Sequence, residues 1–280
     1  MNLNQIKGQI EETETLKIVA EAFTDIASMK LQRVRSRIEQ NRRFASDMAE
    51  VLHIVRVTAE ERGLSAKLEK KVSASLLVTS NKRFYYGVLD AKVADFFMAH
   101  STYTGYVDRY VVGSVGRDYL REKGYNHPFI PVQFAGEMPT ATELVNLATI
   151  LSKYQKVIVY YPRFTSLLSQ QQTFIDMTGF MVTNASSIDQ NYYIFEPELG
   201  KMLAFFEENI MGILLEQAFL ESELARTGAQ LSSMDQAATN AAAVLGAESR
   251  WLGRIRREEL TMQVLENFAG LRHKKLNYDN

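Results

Sequence analysis

From Leu16 to Glu61 the chain carries neither proline nor glycine, so nothing in 46 consecutive positions forces a helix to stop. Apolar residues recur there at Leu31, Val34, Ile38, Ala45, Met48, Leu52 and Val55, with Asn41 as the one polar interruption. An alternating spacing of three and four marks the seam of a coiled coil rather than the broader face of a helix lying on a sheet. Arg33, Arg35, Arg37, Glu39, Arg42 and Arg43 fill the positions between. The C-terminal third repeats the pattern. No proline follows Pro197, which suits a first helical turn, and Leu231, Met234, Ala238, Ala241, Leu245, Leu252 and Ile255 keep the same spacing around Glu248. Gly212, Gly228, Gly246 and Gly253 weaken that helix, by up to about 1 kcal/mol each where exposed. Ala237, Ala238, Ala241 and Ala242 are small enough to let two helices approach closely. Helices of about 45 and 70 residues would span on the order of 70 and 100 Å, and they are expected to pair with each other.

Between them the pattern changes. Ala74–Thr79, Tyr106–Val112, Pro128–Phe134 and Lys156–Tyr161 read as strands, separated by helical stretches at Asp90–Tyr103, Val115–Lys123 and Thr140–Tyr154. Such alternation predicts a mainly parallel α/β sheet. Tyr192–Phe195 reads as a last strand. The expected fold is α/β: a long antiparallel coiled coil of N- and C-terminal helices with an inserted Rossmann-like domain. The expected segments are a helix over 1–62, the α/β domain over 73–196 and a second helix over 197–280.

Chemistry is harder to find. The 280 residues include no cysteine, which removes disulfides, thiolate nucleophiles and cysteine-held metals. The four histidines, His53, His100, His127 and His273, are scattered without a ligand spacing. After the first strand the chain reads Thr79-Ser-Asn-Lys-Arg-Phe-Tyr-Tyr-Gly87, with neither phosphate-binding glycine motif; Gly113-Ser-Val-Gly116 lacks a third glycine. No G-x-S-x-G elbow is present. With 32 basic against 33 acidic residues, the net charge of −1 gives no field to attract nucleic acid. No signal peptide or membrane-spanning run is legible. These features point away from an enzyme and from a bound cofactor or metal. On pattern alone the expectation is a structural coiled coil or helical hairpin, and a coiled-coil tether or adaptor with an α/β binding module is a form it could take.

The residues also resemble the gamma subunits of F-type ATP synthases. Glu21-Ala-Phe-Thr-Asp-Ile-Ala-Ser-Met-Lys-Leu-Gln-Arg33 is similar to that family's K-A-M-x-M-V-A-A-A-K-L-R-R, with Ala22, Ala27, Lys30, Leu31 and Arg33 matching outright. Leu76–Ser80 stands where the family has its first strand. Tyr110–Leu120 and Lys156–Phe164 are similar to its V-I-G-x-K-G and V-x-I-x-Y-N-x-F passages, and Tyr193-Ile-Phe-Glu-Pro197 to its Y-x-F-E-P entry into the last helix. In that helix, Gln217-Ala with Glu221-Ser222, then Met234, Ala237, Asn240 and Ala241, fit Q-A-L-L-E-S and M-x-x-A-x-x-N-A. Arg254 and Arg256 fall on [KR]-x-R-Q, and Leu260-Thr261, Glu266 and Gly270 fit I-T-x-E-[IL]-x-E-I-x-x-G. The departures point to a divergent branch, an alternative or specialised F-type ATPase: Phe84–Gly87 replaces G-L-C-G, Ala225-Arg-Thr227 replaces S-E-H, and Glu21 and Arg257 stand for a lysine and a glutamine.

The resemblance implies a non-catalytic rotor shaft that turns with the ion-driven c-ring. Its partners would be the alpha and beta subunits, the epsilon subunit and the c-ring. It would lie on the cytoplasmic face of a bacterial membrane, peripheral and reached only through the c-ring. Phe23, Lys30, Arg33, Arg254, Arg256, Arg257 and Glu266 are the residues it implies against alpha and beta; the bland alternative is a solvated helix face. Arg256 matches the family position most directly.

Overall fold

The computed structural model describes residues 3–61, 71–82, 88–101, 107–167, 169–178 and 198–276. In chain order these form α1 (Leu3–Glu61), β1 (Lys71–Val78), α2 (Leu89–Ser101), β2 (Asp108–Val112) and α3 (Ser114–Glu122). They continue with β3 (Ile130–Val132), α4 (Ala141–Leu151), β4 (Tyr154–Phe164), β5 (Gln170–Asp176) and α5 (Leu199–Leu276). The chain divides into two compact units, one of residues 1–26 with 233–280 and one of residues 27–232. The strand expected at Tyr192–Phe195 lies outside the described residues.

In the larger unit the sheet has the order β3-β2-β1-β4-β5. β1 pairs in parallel with β2 and β4, and β2 with β3, while β5 runs antiparallel to β4. Register places Leu76 of β1 between Tyr110 and Val159, so alternate residues face opposite layers. Leu77, Val111 and Tyr160 meet Val93, Ala94 and Phe97 of α2 and Leu120 of α3. On the opposite face Leu76, Val78, Tyr110, Val157 and Val159 meet α4 through Leu147, Ala148 and Leu151. The same cluster takes in Leu52, Val55 and Ala59 of α1, and Ile210, Leu214, Leu215, Ala218 and Phe219 of α5. Part of the predicted seam therefore packs on the sheet after all: one stripe serves first as coiled coil and then as the sheet's helical layer. Above that level Leu31, Val34 and Ile38 close on Leu220 and Leu224.

The α1 seam falls where spacing puts it. Leu31, Val34, Ile38, Asn41, Ala45, Leu52 and Val55 are all buried. The two helices run antiparallel, since Lys30 pairs with Glu223 and Arg56 with Glu207 at 3.0 Å. In the smaller unit the α1 stripe continues through Leu3, Ile6, Ile10, Thr13, Lys17, Ala20 and Thr24, of which Ile6 and Ala20 are buried. Thr13 there donates to Glu248 at 3.5 Å. On α5, Met234, Ala238, Ala241, Leu245, Glu248, Leu252 and Ile255 are each half-buried, whereas Ala237 and Ala242 are exposed and stand off the seam.

Local signals set the ends of the shorter elements. α4 opens on a capping box: Thr140 Oγ1 accepts from Glu143 N at 3.4 Å, and the Glu143 carboxylate accepts from Thr140 N and Ala135 N, both at 2.8 Å. The backbone donors of Thr140 and Ala135 hold the Glu143 carboxyl below its ordinary range. Gly113 begins α3 at φ +90°, where a Cβ would lie 2.4 Å from the Thr79 carbonyl oxygen. Only glycine fits both the conformation and the space.

Candidate interaction surfaces

Doubly wound sheets hold their ligands beyond the C-terminal strand ends, where the strand order reverses. Here that point lies between β1 and β4, and the chain's own last helix fills it. Asp90, in the first turn of α2, accepts from Ser80 N at 3.0 Å and from the Ser80 hydroxyl. Arg226 of α5 donates from Nε to Asp90 at 3.2 Å and from its terminal nitrogen to the Val78 carbonyl at 3.3 Å. Both side chains are about 95% removed from solvent, at 4% and 5% exposure. Two residues on, a Cβ at Gly228 would lie 2.7 Å from Cε2 of Phe164, the last residue of β4. So α5 runs in contact with the mouth of the crevice.

A second phosphate position, the N-terminus of α3, is also occupied. Ser114 N donates to Asn81 Oδ1 at 2.9 Å, Val115 N to the Ser80 carbonyl at 3.1 Å and Gly116 N to Thr79 Oγ1 at 2.9 Å. A helix start attracts anions through unpaired N–H groups, and these three are taken. The cavity beside them, about 250 Å³, is lined by Asn81, Arg117, Gln133 and Glu137 among others, and Lys82 pairs with Glu137 at 3.0 Å near it. Gly113-Ser-Val-Gly116 is thus a close-packing turn rather than a phosphate loop.

Three of the buried charges among the described residues sit on two turns of α5. Glu221, Glu223 and Arg226 are 6%, 4% and 3% exposed. Glu221 accepts from Arg42 of α1 at 2.8 Å, from Tyr161 of β4 at 3.1 Å and from Gln217 at 3.2 Å. Burial, and after it the Glu221 charge, pushes the Tyr161 hydroxyl well above the usual tyrosine range, so it stays a neutral donor. Glu223 pairs with Lys30 of α1. Sequence reasoning noted Glu221 as a family match and Arg226 as a departure, but gave neither a role. The signal available was a run of charges inside an otherwise apolar stretch, Leu214–Leu224.

The predicted contact residues do not form one site. Phe23 is half-buried, and Arg254, Arg256 and Glu266 are exposed, all in the smaller unit. Arg257 turns Nε back onto the Gly253 carbonyl at 3.1 Å. Arg33, exposed, and Lys30, held by Glu223, belong to the larger unit. Just beyond the arginines, Leu260, Met262, Val264, Leu265 and Phe268 are all more than half exposed, between 51% and 68%. Exposed apolar side chains this dense mark an interaction surface.

The fold, long N- and C-terminal helices with an α/β domain between them in sequence, is found among solved structures. It matches the Tetrahymena thermophila mitochondrial ATP synthase central stalk/c-ring structure with a TM-score of 0.59 at 17% identity, covering 78% of this chain and 99% of that one. It also matches the rotor of the Euglena gracilis mitochondrial ATP synthase with a TM-score of 0.59 at 11% identity, covering 92% and 98%. A family model described as ATP synthase matches residues 2–272, and the chain belongs to that family, among the gamma chains of F-type ATP synthases. Similar relatives are the ATP synthase gamma chain of Geobacter metallireducens, 23% identical with 96% of this chain and 97% of that one covered, and the sodium ion specific gamma chain of Acetobacterium woodii, 22% identical over the same shares.

Proposed function

We propose that this chain is a central rotor shaft, coupling ion-driven rotation of a c-ring to conformational change in catalytic beta subunits. The observation that carries the reading is the exposed apolar run Leu260–Phe268 in the smaller unit. Within the larger unit, α5 is held to the α/β domain by the buried Arg226–Asp90 pair. The shaft contributes no reacting group: its work is to present a different face to each beta subunit and so bias each toward a different conformation. Arg33, Arg254, Arg256, Arg257 and Glu266, with Phe23, supply the side chains that meet alpha and beta, and Lys30 acts through Glu223 as part of the helix pair. Epsilon and the c-ring bind the larger unit, on the cytoplasmic face of a bacterial membrane. The coiled-coil tether requires self-association and has no family match behind it.

The test is co-expression with the cognate alpha and beta subunits, followed by mass measurement and single-molecule imaging of a bead fixed to the α/β domain. A single copy per ring, with the bead turning during ATP hydrolysis, is expected. Homodimers, or a complex whose bead stays still while ATP is consumed, would refute it.

A further inference from the structure

An apolar seam holds a helix against its neighbours but says little about its rotation. Burial of hydrocarbon is non-directional, so a helix packed through Leu220, Leu224 and Phe219 loses little when it turns slightly about its axis. A buried ion pair behaves differently. Displacing one partner leaves a charge in a low-dielectric interior without its counter-charge, which makes the pair a marker of one azimuth and one register.

One such pair, Arg226 with Asp90, stands where α5 leaves the α/β domain, beside two pairs whose acid is buried and whose base reaches solvent, Glu221 with Arg42 and Glu223 with Lys30. At about 100° per residue, Glu221, Glu223 and Arg226 leave α5 at roughly 0°, 200° and 140°. They meet three surroundings: Glu221 engages Arg42 of α1 and Tyr161 of β4, Glu223 engages Lys30 of α1, and Arg226 engages Asp90 of α2 together with the Val78 carbonyl of β1. The six ionisable partners are three acids (Glu221, Glu223, Asp90) and three bases (Arg42, Lys30, Arg226), so the set is internally neutral. Any rotation of α5 that relieves one contact strains another on the opposite side. Gly228 and Phe164, two residues beyond Arg226, leave no slack for a shift toward β4.

We propose that Glu221, Glu223 and Arg226 form a rotational key that fixes the azimuth of α5 against α1 and the α/β domain. Under the rotor reading, on which the functional consequence rests, the key is the place where torque taken up by the α/β domain enters the helix pair. These are positioning residues: none touches a reacting atom. Arg226 stands where the family's S-E-H triplet has its glutamate, so this arm of the key is a feature of this chain.

The structural half can be tested on the full chain alone. Because the sequence has no cysteine, Gln171→Cys on β5 and Ser232→Cys on α5 accept spin labels uniquely, and both lie in the larger unit. Pulsed electron resonance then reads the distance distribution between sheet and helix. With Asp90→Asn or Arg226→Met, at unchanged helix content by circular dichroism, the distribution is expected to broaden at least two-fold; Arg226→Lys should fall between these and the parent. A merely stabilising contact would lower Tm and leave the width of the folded state unchanged, and that outcome overturns the key. So does failure of both single variants to fold, which would make the pair a requirement of folding rather than of azimuth. The functional half uses the complete complex in sealed vesicles, with ion pumping measured per ATP hydrolysed. The variants are expected to lose pumping several-fold more than hydrolysis. If the parent chain assembles with no ring at all, the rotor reading fails while the distance measurement still decides the key.

Discussion

Replacing Gly228 by alanine sets two known effects against each other on one helix. Intrinsic propensity favours the change by about 0.8–1.0 kcal/mol in a helix interior. Against it, the new Cβ would lie 2.7 Å from Cε2 and 3.0 Å from Cδ2 of Phe164, where carbon atoms in contact prefer about 3.5–4.0 Å. Overpacking of this kind costs typically ~1–3 kcal/mol. The ring has limited freedom to retreat, because the Arg35 guanidinium stands 5.4 Å from its centroid on one side and α5 on the other. The balance is a net destabilisation of about 0–2 kcal/mol, taking the difference of those ranges. Gly253 provides the control, since a Cβ there meets nothing within 4 Å, and Gly253→Ala should stabilise. The assay is urea denaturation of the purified chain followed by circular dichroism, for both single variants and for Gly228→Ala combined with Phe164→Leu. The second change should recover most of the loss in a double-mutant cycle. If Gly228→Ala stabilises as much as Gly253→Ala does, the close approach of α5 to β4 is refuted, and with it the closed crevice.

Arg256→Ala with Arg257→Ala should change stability by no more than about 0.5 kcal/mol, as exposed helix positions do. Loss of a charge-assisted contact of about 1.5–3 kcal/mol should nonetheless lower ATP turnover of the reconstituted complex by roughly one to two powers of ten; unchanged turnover would leave both arginines a solvated face. Titration of the isolated chain with a labelled nucleotide should show no saturable micromolar ATP binding, because both phosphate positions are filled from within. The capping box carries a pH signature. Glu143 has its folded carboxyl lowered, so its stabilisation is present above the unfolded value near 4.5 and is lost as pH falls through the folded value. Amide protection at Thr140 and Ala135 should weaken in acid, and Glu143→Gln should abolish that dependence.

The fold was legible where period and burial coincide. The stripe Leu31–Val55 needed only its three–four spacing, and β1, β2 and β4 needed only short apolar runs, because a parallel strand covered on both faces reads as continuous hydrocarbon. β5 was missed for the opposite reason. Gln170-Gln-Gln-Thr-Phe-Ile-Asp176 is an edge strand with one neighbour, and polar residues are tolerated where only one side must be satisfied. The helix was expected from residue 1, but its seam was not traced before Leu31, because Thr13, Lys17 and Thr24 occupy seam positions there and the spacing continues while the hydrophobicity stops. The key was not read, although charges inside the apolar stretch Leu214–Leu224 hinted at it. Glu221, Glu223 and Arg226 look like ordinary helix-surface charges until Tyr161 of β4 and Asp90 of α2 are placed against them.

The two units differ in what can hold their helices together, and the difference bears on function. Helices draw most of their stability in proteins from the packing of an apolar stripe rather than from propensity. In the larger unit that stripe is buried almost without interruption from Ala27 to Ala59. In the smaller unit Ile6 and Ala20 are the buried hydrophobics among the described residues, while Leu16, Ile18, Val19, Val244 and the run from Leu260 to Phe268 keep between 46% and 68% of their surface in water. A helix segment so composed gains more from a partner's surface than from its own pair, at about 25 cal/mol for each Å² of apolar area withdrawn. The charged seam positions Lys17 and Glu248 limit how far the pair can tighten unaided. Backbone amide exchange should therefore be fast over residues 256–268 in the isolated chain and slow in the assembled ring, whereas residues 210–227 should be protected in both. Equal protection of residues 256–268 in the two states would mean that the helix end is self-sufficient and that the exposed apolar run is not where partners bind.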